Sequence, residues 1–344
     1  MKNVINIIFS LSLNKGLIIF FIIRIKMNTF FRIKLLVFLL ITPKISLSII
    51  GPLTEDFQKF LKENGYDKYN FARNDLGNTG SYGGKQNHMS KIEKLPIIFI
   101  HGNSDSALSI GNPYQTGWSS SIEYFLSKNY TSAELYATTW GDRNIMETSS
   151  RVHDCDTISR IRKFIEAVKL YTRQSKVNII AHSMGVTLGR GAIVGVDSCF
   201  YKSTISGIID TFIGISGANY GLCSCSNLNS YYFPTCSKVN GFWPGDFMET
   251  CLSCETYPIP SNCSTNKIQY SEYLENLNNL GKRPSSYVYS IWSLNDEVIG
   301  NNNYVRGHST SHISGSIDKI LKDLSHMDSK DKTTDIQYNL INKI

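Results

Sequence analysis

The chain has 344 residues, of which 42% are hydrophobic and 18% charged, proportions ordinary for a globular protein. The formal net charge is +7, but residues 1–48 carry seven basic residues and no acidic one. The remainder of the chain is therefore neutral, which excludes a broad basic surface for nucleic acid.

The first 48 residues have the pattern of a targeting segment. Met27 precedes a short basic region and an apolar run, and small residues at Ser46 and Ser48 suit signal peptidase. We therefore expect a signal peptide over 27–48, cleaved after Ser48, and a secreted protein. Residues 1–26 are interpreted as an upstream extension; an uncleaved membrane anchor is the alternative.

Helix and strand patterns alternate along the rest of the chain. Thr54 is predicted to cap the first helix, and a later helix over 157–173 has a single apolar stripe. An unbroken apolar run predicts a buried strand at 95–100, and further strands are predicted at 133–138, 177–181, 205–215 and 286–292. This alternation predicts an α/β fold with a mostly parallel sheet flanked by helices, and a ligand at its carboxyl edge.

Residues 217–285 interrupt the alternation. We expect them to form a cysteine-rich cap inserted into a sheet domain that spans 49–344. Their aromatic residues, among them Phe242 and Trp243, admit two interpretations. They form either a lid or acyl-pocket wall, or the core of a small disulfide-linked subdomain.

The chain has eight cysteines, six of them within 223–263. An even count behind a signal peptide predicts disulfides. Zinc bound through Cys251 and Cys254 is the alternative, although no second such pair or nearby histidine completes a ligand set. Asn129 and Asn262 begin glycosylation sequences, which matter if the chain is exported.

Ser183 is the leading candidate nucleophile. It lies in a small-x-Ser-x-Gly pattern with Ala181 and Gly185, after a predicted buried strand and before a helical segment. The small flanking residues let the strand and helix backbones pass closely at a strained turn. A second match surrounds Ser109, but we expect Ser109 in a polar loop with no strand before it.

A serine nucleophile that attacks a carbonyl needs two backbone N–H groups to stabilise the developing oxyanion. The sequence His101-Gly102-Asn103 follows the first predicted strand and suits one half of such a site. We expect the backbone N–H groups of Asn103 and Met184 to supply it.

A base and an acid must follow the nucleophile in chain order in this type of fold. Asp296 follows the last predicted strand, and His326 comes 30 residues later, which is enough to span one more strand or loop. We assign Asp296 and His326 to these roles. His308 and His312 follow Asp296 more closely in sequence, which leaves less chain for the return, but they are not excluded as the base. Asp210 is the reserve candidate for the acid.

These residues resemble the class 2 lipases, secreted α/β-hydrolases known from nematodes and bacteria. The resemblance covers roughly 92–342, and its matching stretches are 97–103, 177–185, 214–221, 293–300, 324–326 and 330–333. It implies the α/β-hydrolase fold, a triad of Ser183, Asp296 and His326, and an acyl-ester substrate such as a glyceride. The cysteine-bearing insert points to the nematode branch. The loop after His308 departs from the family pattern, since it lacks a cysteine and a proline.

The sequence thus predicts a lipase or carboxylesterase that works through an acyl-enzyme intermediate, without cofactor or metal. Its partners would be a lipid or ester substrate and, transiently, a lipid surface. An acyltransferase or thioesterase with the same triad is one alternative. A non-catalytic lipid-binding or cell-surface protein that retains the fold is another.

Overall fold

The computed structural model describes residues 49–196, 199, 203–245, 253–261 and 270–344, together with the backbone of four short strands in 1–48. Met1–Ser48 and Ile49–Ile344 form two compact units. In the first unit, β1 (Ser10–Ser12) pairs with β2 (Leu17–Ile19) and β3 (Phe21–Ile22) pairs with β4 (Leu36–Val37), both antiparallel. Apart from β4, the predicted signal peptide lies outside the described residues.

The second unit is built on a central sheet. Its strands in chain order are β5 (Ser81–Tyr82), β6 (Ile97–Ile100), β7 (Leu108–Asn112), β8 (Gln115–Gly117), β9 (Leu135–Thr138), β10 (Val177–His182), β11 (Ile209–Ile215), β12 (Tyr287–Ser293), β13 (Tyr304–Val305), β14 (His308–Ser309) and β15 (Ile317–Leu321). Seven of them form one sheet in the order β15-β12-β11-β10-β6-β9-β5. All neighbours in it are parallel except the edge pair β5 and β9. The predicted α/β fold is confirmed.

The five predicted strands all form, as β6, β9, β10, β11 and β12. Two strands of the seven-stranded sheet were not predicted. β15 is a largely exposed edge strand with charged residues, and β5 has only two residues inside a loop-like sequence. The expectation for Ser109 is wrong in one respect, because Ser109 lies in β7, which forms a hairpin with β8 rather than a polar loop.

Helices cover both faces of the sheet. They are α1 (Glu55–Glu63), α2 (Ser119–Ser127), α3 (Cys155–Thr172), α4 (Met184–Val194), α5 (Glu272–Asn279), α6 (Asp328–Asp331) and α7 (Thr334–Asn342). Alternate side chains of β6 enter separate cores, since Ile98 and Ile100 join one cluster while Ile97 and Phe99 join the other. Among the described residues, no helix is both long and apolar enough to cross a bilayer.

Local sequence explains where two of these helices begin. The Thr54 side chain accepts a hydrogen bond from the Phe57 N–H at 3.4 Å, so the predicted cap of α1 is confirmed. Asp154 caps α3 in the same way, accepting from the Thr157 N–H at 2.8 Å. The helix predicted at 157–173 therefore begins two residues earlier.

The segment 217–285 joins β11 to β12 and is held by disulfides. Cys223 pairs with Cys254, and Cys225 with Cys236, while a third bond joins Cys155 to Cys199 outside the segment. The disulfide prediction is confirmed for these six cysteines.

The remaining two cysteines of that segment and its aromatic residues also bear on its predicted roles. Cys251 and Cys263 lie outside the described residues. Phe242 and Trp243 are buried, as the interpretation of a packed subdomain requires. Among the described residues of the segment, the exposed aromatic residues are instead Tyr231, Tyr232, Phe233 and Tyr257.

Candidate active site

Ser183 occupies the turn between β10 and α4. Its φ of 54° is positive, a strained conformation for a residue other than glycine. The turn is tightly packed, because a Cβ added at Gly185 would lie 2.4 Å from the His101 carbonyl oxygen. A Cβ at Gly102 would lie 2.8 Å from the Ser183 Cβ. Glycine is thus required at both positions for β6, β10 and α4 to meet around Ser183.

The loop 101–103 after β6 lies against this turn. The His101 ring donates from Nδ1 to the Gly102 carbonyl at 2.7 Å and accepts at Nε2 from the Trp140 N–H at 3.1 Å. The Asn103 side chain donates to the Thr148 carbonyl at 2.9 Å. These contacts fix the loop beside Ser183. Met184 is the first residue of α4, so its N–H has no acceptor within the helix.

Asp296 and His326 meet beyond the carboxyl ends of β12 and β15. His326 Nδ1 lies 3.0 and 2.9 Å from the two Asp296 carboxylate oxygens. The carboxylate can only accept, so Nδ1 carries the proton and Nε2 is left as the proton acceptor. Asp296 also accepts from the N–H groups of Val298 and Ile299, both at 3.0 Å.

The pKa of Asp296 lies below its ordinary value of 3.8. Burial by itself raises this pKa, but the hydrogen bond and charge of His326 lower it. Hydrogen bonds from the Ile299 N–H and the Ser216 hydroxyl lower it further. Asp296 is therefore a buried carboxylate that stays ionised at neutral pH and holds the His326 ring in one tautomer.

Three residues that the sequence did not single out hold the His326 backbone. Its N–H donates to Glu297 at 2.9 Å, and its carbonyl accepts from the Ser329 hydroxyl at 2.7 Å. The same carbonyl accepts from His182 Nε2 at 3.1 Å. Burial and then the charge of His326 lower the pKa of His182 well below 6.5, so His182 stays neutral.

His182 also links His326 to the nucleophile turn. The His182 and His326 rings lie 4.6 Å apart between centroids, and His182 immediately precedes Ser183. In the part of the chain that the structure describes, the Ser183 hydroxyl forms no hydrogen bond. The structure thus brings Ser183, His326 and Asp296 to one edge of the sheet, with the Asp296–His326 contact formed.

A buried ion pair ties the segment after His326 to the loop after β6. The fully buried Lys330 ammonium lies 3.0 Å from Asp105 Oδ2, and it also donates to the Gly117 carbonyl. Asp105 Oδ1 accepts from the Gly117 N–H at 3.0 Å. Because an unpaired buried charge is costly, this pair holds the two segments together.

The reserve candidates lie elsewhere. His312 contacts Asp318 at 2.8 Å, and His308 stacks on Tyr220 with ring centroids 4.4 Å apart. Asp210 lies near the start of β11, at the opposite end from the site, where it pairs with Lys343 at 2.9 Å.

Sequence comparison agrees with this arrangement. The profile of the Lipase (class 2) family matches residues 94–339, a range that includes the turn at Ser183 and the Asp296–His326 pair. The chain belongs to the class 2 lipase family. It is accordingly a carboxylic ester hydrolase with the α/β-hydrolase fold. No curated protein sequence matches it significantly.

Solved structures similar to this class 2 lipase include three ester hydrolases. Aspergillus fumigatus lipase B is 13% identical over 71% of this chain and 48% of its own, with a TM-score of 0.39. Bacillus licheniformis lipase BlEst2 in mature form is 12% identical over 77% and 99%, with a TM-score of 0.44. A carboxylesterase structure from Nitrososphaera gargenis is 14% identical over 76% and 92%, with a TM-score of 0.41. Identities this low say nothing about the substrate.

Proposed function

We propose that the protein is a secreted serine hydrolase of acyl esters, either a triacylglycerol lipase or a carboxylesterase, with Ser183, His326 and Asp296 as its catalytic triad. The observation that carries the proposal is the buried Asp296–His326 pair at the sheet edge where Ser183 occupies its strained turn. The pair fixes Nε2 of His326 as a base, and the turn presents the serine.

In the proposed mechanism, His326 Nε2 accepts the Ser183 proton while Oγ attacks the ester carbonyl. The imidazolium then protonates the leaving alcohol, and an acyl-enzyme remains. Water, activated by the same nitrogen, releases the carboxylic acid and restores Ser183. Asp296 orients the ring and stabilises its charged form throughout.

The backbone N–H groups of Met184 and Asn103 are proposed as the oxyanion hole. Met184 follows the nucleophile and begins α4, so its N–H is available and lies at the positive end of the helix dipole. Asn103 follows Gly102, whose close approach to Ser183 brings the loop to the nucleophile. Each such donor typically contributes about 3 kcal/mol of barrier reduction.

Export is proposed from the cysteine chemistry and from the sequence of 27–48. The disulfides Cys155–Cys199, Cys223–Cys254 and Cys225–Cys236 suit an oxidising compartment. Asn129, whose sequence would accept a glycan on export, is exposed.

Turnover of a short soluble ester such as p-nitrophenyl butyrate tests the proposed function. Ser183→Ala should reduce kcat by about 10⁴-fold or more, because the nucleophile is lost. Ser109→Ala is the matched control, since it makes the same change at the other pattern match, and should stay within twofold, about the scatter of such assays. Full turnover by Ser183→Ala would refute the assignment, and no turnover by the native protein would favour a non-catalytic binding protein.

A further inference from the structure

A polar cleft of about 370 Å³ opens beside the candidate active site. It lies past the carboxyl end of β9, next to the first turns of α3. Its volume falls within the range of about 300–1,000 Å³ that is usual for small-molecule sites. The cleft is lined by Asn70, Arg73, Asp75, Trp140, Gly141, Asp142, Asp156, Thr157 and Arg160.

Most charges in the cleft are already paired. The buried Arg73 guanidinium holds Asp75 through two hydrogen bonds, at 2.9 Å from Nε and 2.7 Å from one terminal nitrogen. Asp142 forms an ion pair with Arg151 from outside the lining. These pairs neutralise four of the charged groups in and around the cleft.

One cation and one anion of the lining remain. Arg160 and Asp156 both lie on α3. Among the described residues, neither of them has an ion pair or a side-chain hydrogen bond. Burial, followed by the charge of Arg73, lowers the pKa of Arg160, and the nearby carboxylates of Asp75, Asp154 and Asp156 offset part of this shift. The lining thus holds one positive and one negative side chain that have no hydrogen-bond partner among the described residues, as a zwitterionic ligand would require.

Two chains of contacts join the cleft to the loop beside Ser183. The Trp140 indole N–H donates to the His101 carbonyl at 2.9 Å, and its ring stacks on the His101 ring. Arg151, the partner of Asp142, donates to the Ser104 hydroxyl at 3.3 Å. A ligand in the cleft would thus lie beside the loop that is proposed to bind the oxyanion.

The segment that follows Asp142 of the cleft lining carries exposed apolar side chains. Ile145 and Met146, three and four residues after Asp142, are 41% and 84% exposed. The turn that they begin contacts the turn Pro234–Cys236, which follows the exposed Tyr231, Tyr232 and Phe233. A polar cleft whose lining continues along the chain into exposed apolar side chains suits an amphiphile better than a soluble polar molecule.

We propose that this cleft binds the headgroup of a zwitterionic phospholipid, with the phosphate on Arg160 and the ammonium group near Asp156. The inference rests on the proposed function, and it specifies the substrate class. Water would cleave an acyl ester of that lipid into a carboxylic acid and a lysophospholipid, through the same acyl-enzyme.

Selectivity between two substrates tests the headgroup contact. The readout is the rate on phosphatidylcholine vesicles divided by the rate on p-nitrophenyl butyrate. Arg160→Gln should lower this ratio about tenfold, because a charge-assisted hydrogen bond to phosphate is lost, and Arg160→Lys should recover part of it. Lys169→Gln removes a positive charge from the far end of α3 and should leave the ratio unchanged. An unchanged ratio in Arg160→Gln would overturn the inference.

Binding to a catalytically silent protein separates this inference from the proposed function. Calorimetry on Ser183→Ala should show that soluble glycerophosphocholine binds and that Arg160→Gln abolishes the binding. Glycerol 3-phosphate, an anion without the ammonium group, should bind more weakly because Asp156 repels it. Equal binding of both ligands, or none of either, would refute the zwitterion site. A native protein that binds glycerophosphocholine but hydrolyses no ester would refute only the proposed function.

Discussion

Among the residues that the structure describes, two aspartate–histidine pairs have almost the same geometry. His326 lies 2.9 Å from Asp296, and His312 lies 2.8 Å from Asp318. Their surroundings differ. The side chains of the first pair are 7% and 1% exposed, whereas those of the second are 34% and 28% exposed. The distance between two side chains therefore does not distinguish a candidate catalytic pair from a surface contact.

What separates the two pairs is their support and position. Asp296 accepts two further backbone hydrogen bonds and follows the carboxyl end of β12, and the His326 ring lies beside His182. Asp318 lies within the edge strand β15, three residues before its carboxyl end, and its further hydrogen bond comes from the Ser316 hydroxyl. Burial strengthens the first pair, because charges interact more strongly where water is excluded.

The largest effect is expected from the same substitution in both pairs. Asp296→Asn should lower kcat on p-nitrophenyl butyrate by about 10⁴-fold, because the amide no longer selects the tautomer that leaves Nε2 free. Asp318→Asn should leave kcat within about twofold, the usual effect of a surface substitution. Steady-state kinetics on both variants, with thermal unfolding as a check of folding, would decide. Equal losses of kcat in the two variants would show that the two pairs do not differ in catalytic role.

A smaller effect is expected on the free energy of unfolding, and it follows from the burial of another histidine. His153 is buried between Thr187 and the Asn240 carbonyl, and burial lowers its pKa from 6.5 to about 4. Below pH 6.5 His153 is protonated in the unfolded chain but stays neutral in the folded chain. The free energy of unfolding therefore falls as the pH decreases toward 4. From pH 7 to pH 5 this histidine should cost roughly 2 kcal/mol of unfolding free energy.

Urea unfolding at pH 7 and pH 5 measures that difference. In His153→Gln the loss of unfolding free energy between the two pH values should be smaller by about the same 2 kcal/mol, since glutamine does not titrate. An identical pH dependence in the variant and the native protein would show that His153 is not protonated on unfolding.

Much of the fold and the site could be predicted because local sequence determines it. Ser183 could be proposed as the nucleophile because the elbow needs small neighbours on both sides, and Gly185 does approach the chain at His101 closely. Asp296 and His326 followed from chain order. A strand buried on both faces leaves an unbroken apolar run, as β6 does.

The remainder depends on contacts between distant segments. β15 was missed because an exposed edge strand needs no apolar run. No pattern in the sequence singled out His182, yet its ring contacts the His326 carbonyl. The ion pair of Lys330 with Asp105 joins residues far apart in sequence, and no local sequence pattern indicates it.

Labelling by a fluorophosphonate probe, located by peptide mass spectrometry, tests the central claim most directly. The account predicts that the label lies on Ser183 in the native protein. It also predicts that His326→Ala slows labelling by about 10³-fold or more while His312→Ala does not. A label on any other serine, or a greater loss in His312→Ala than in His326→Ala, would contradict it.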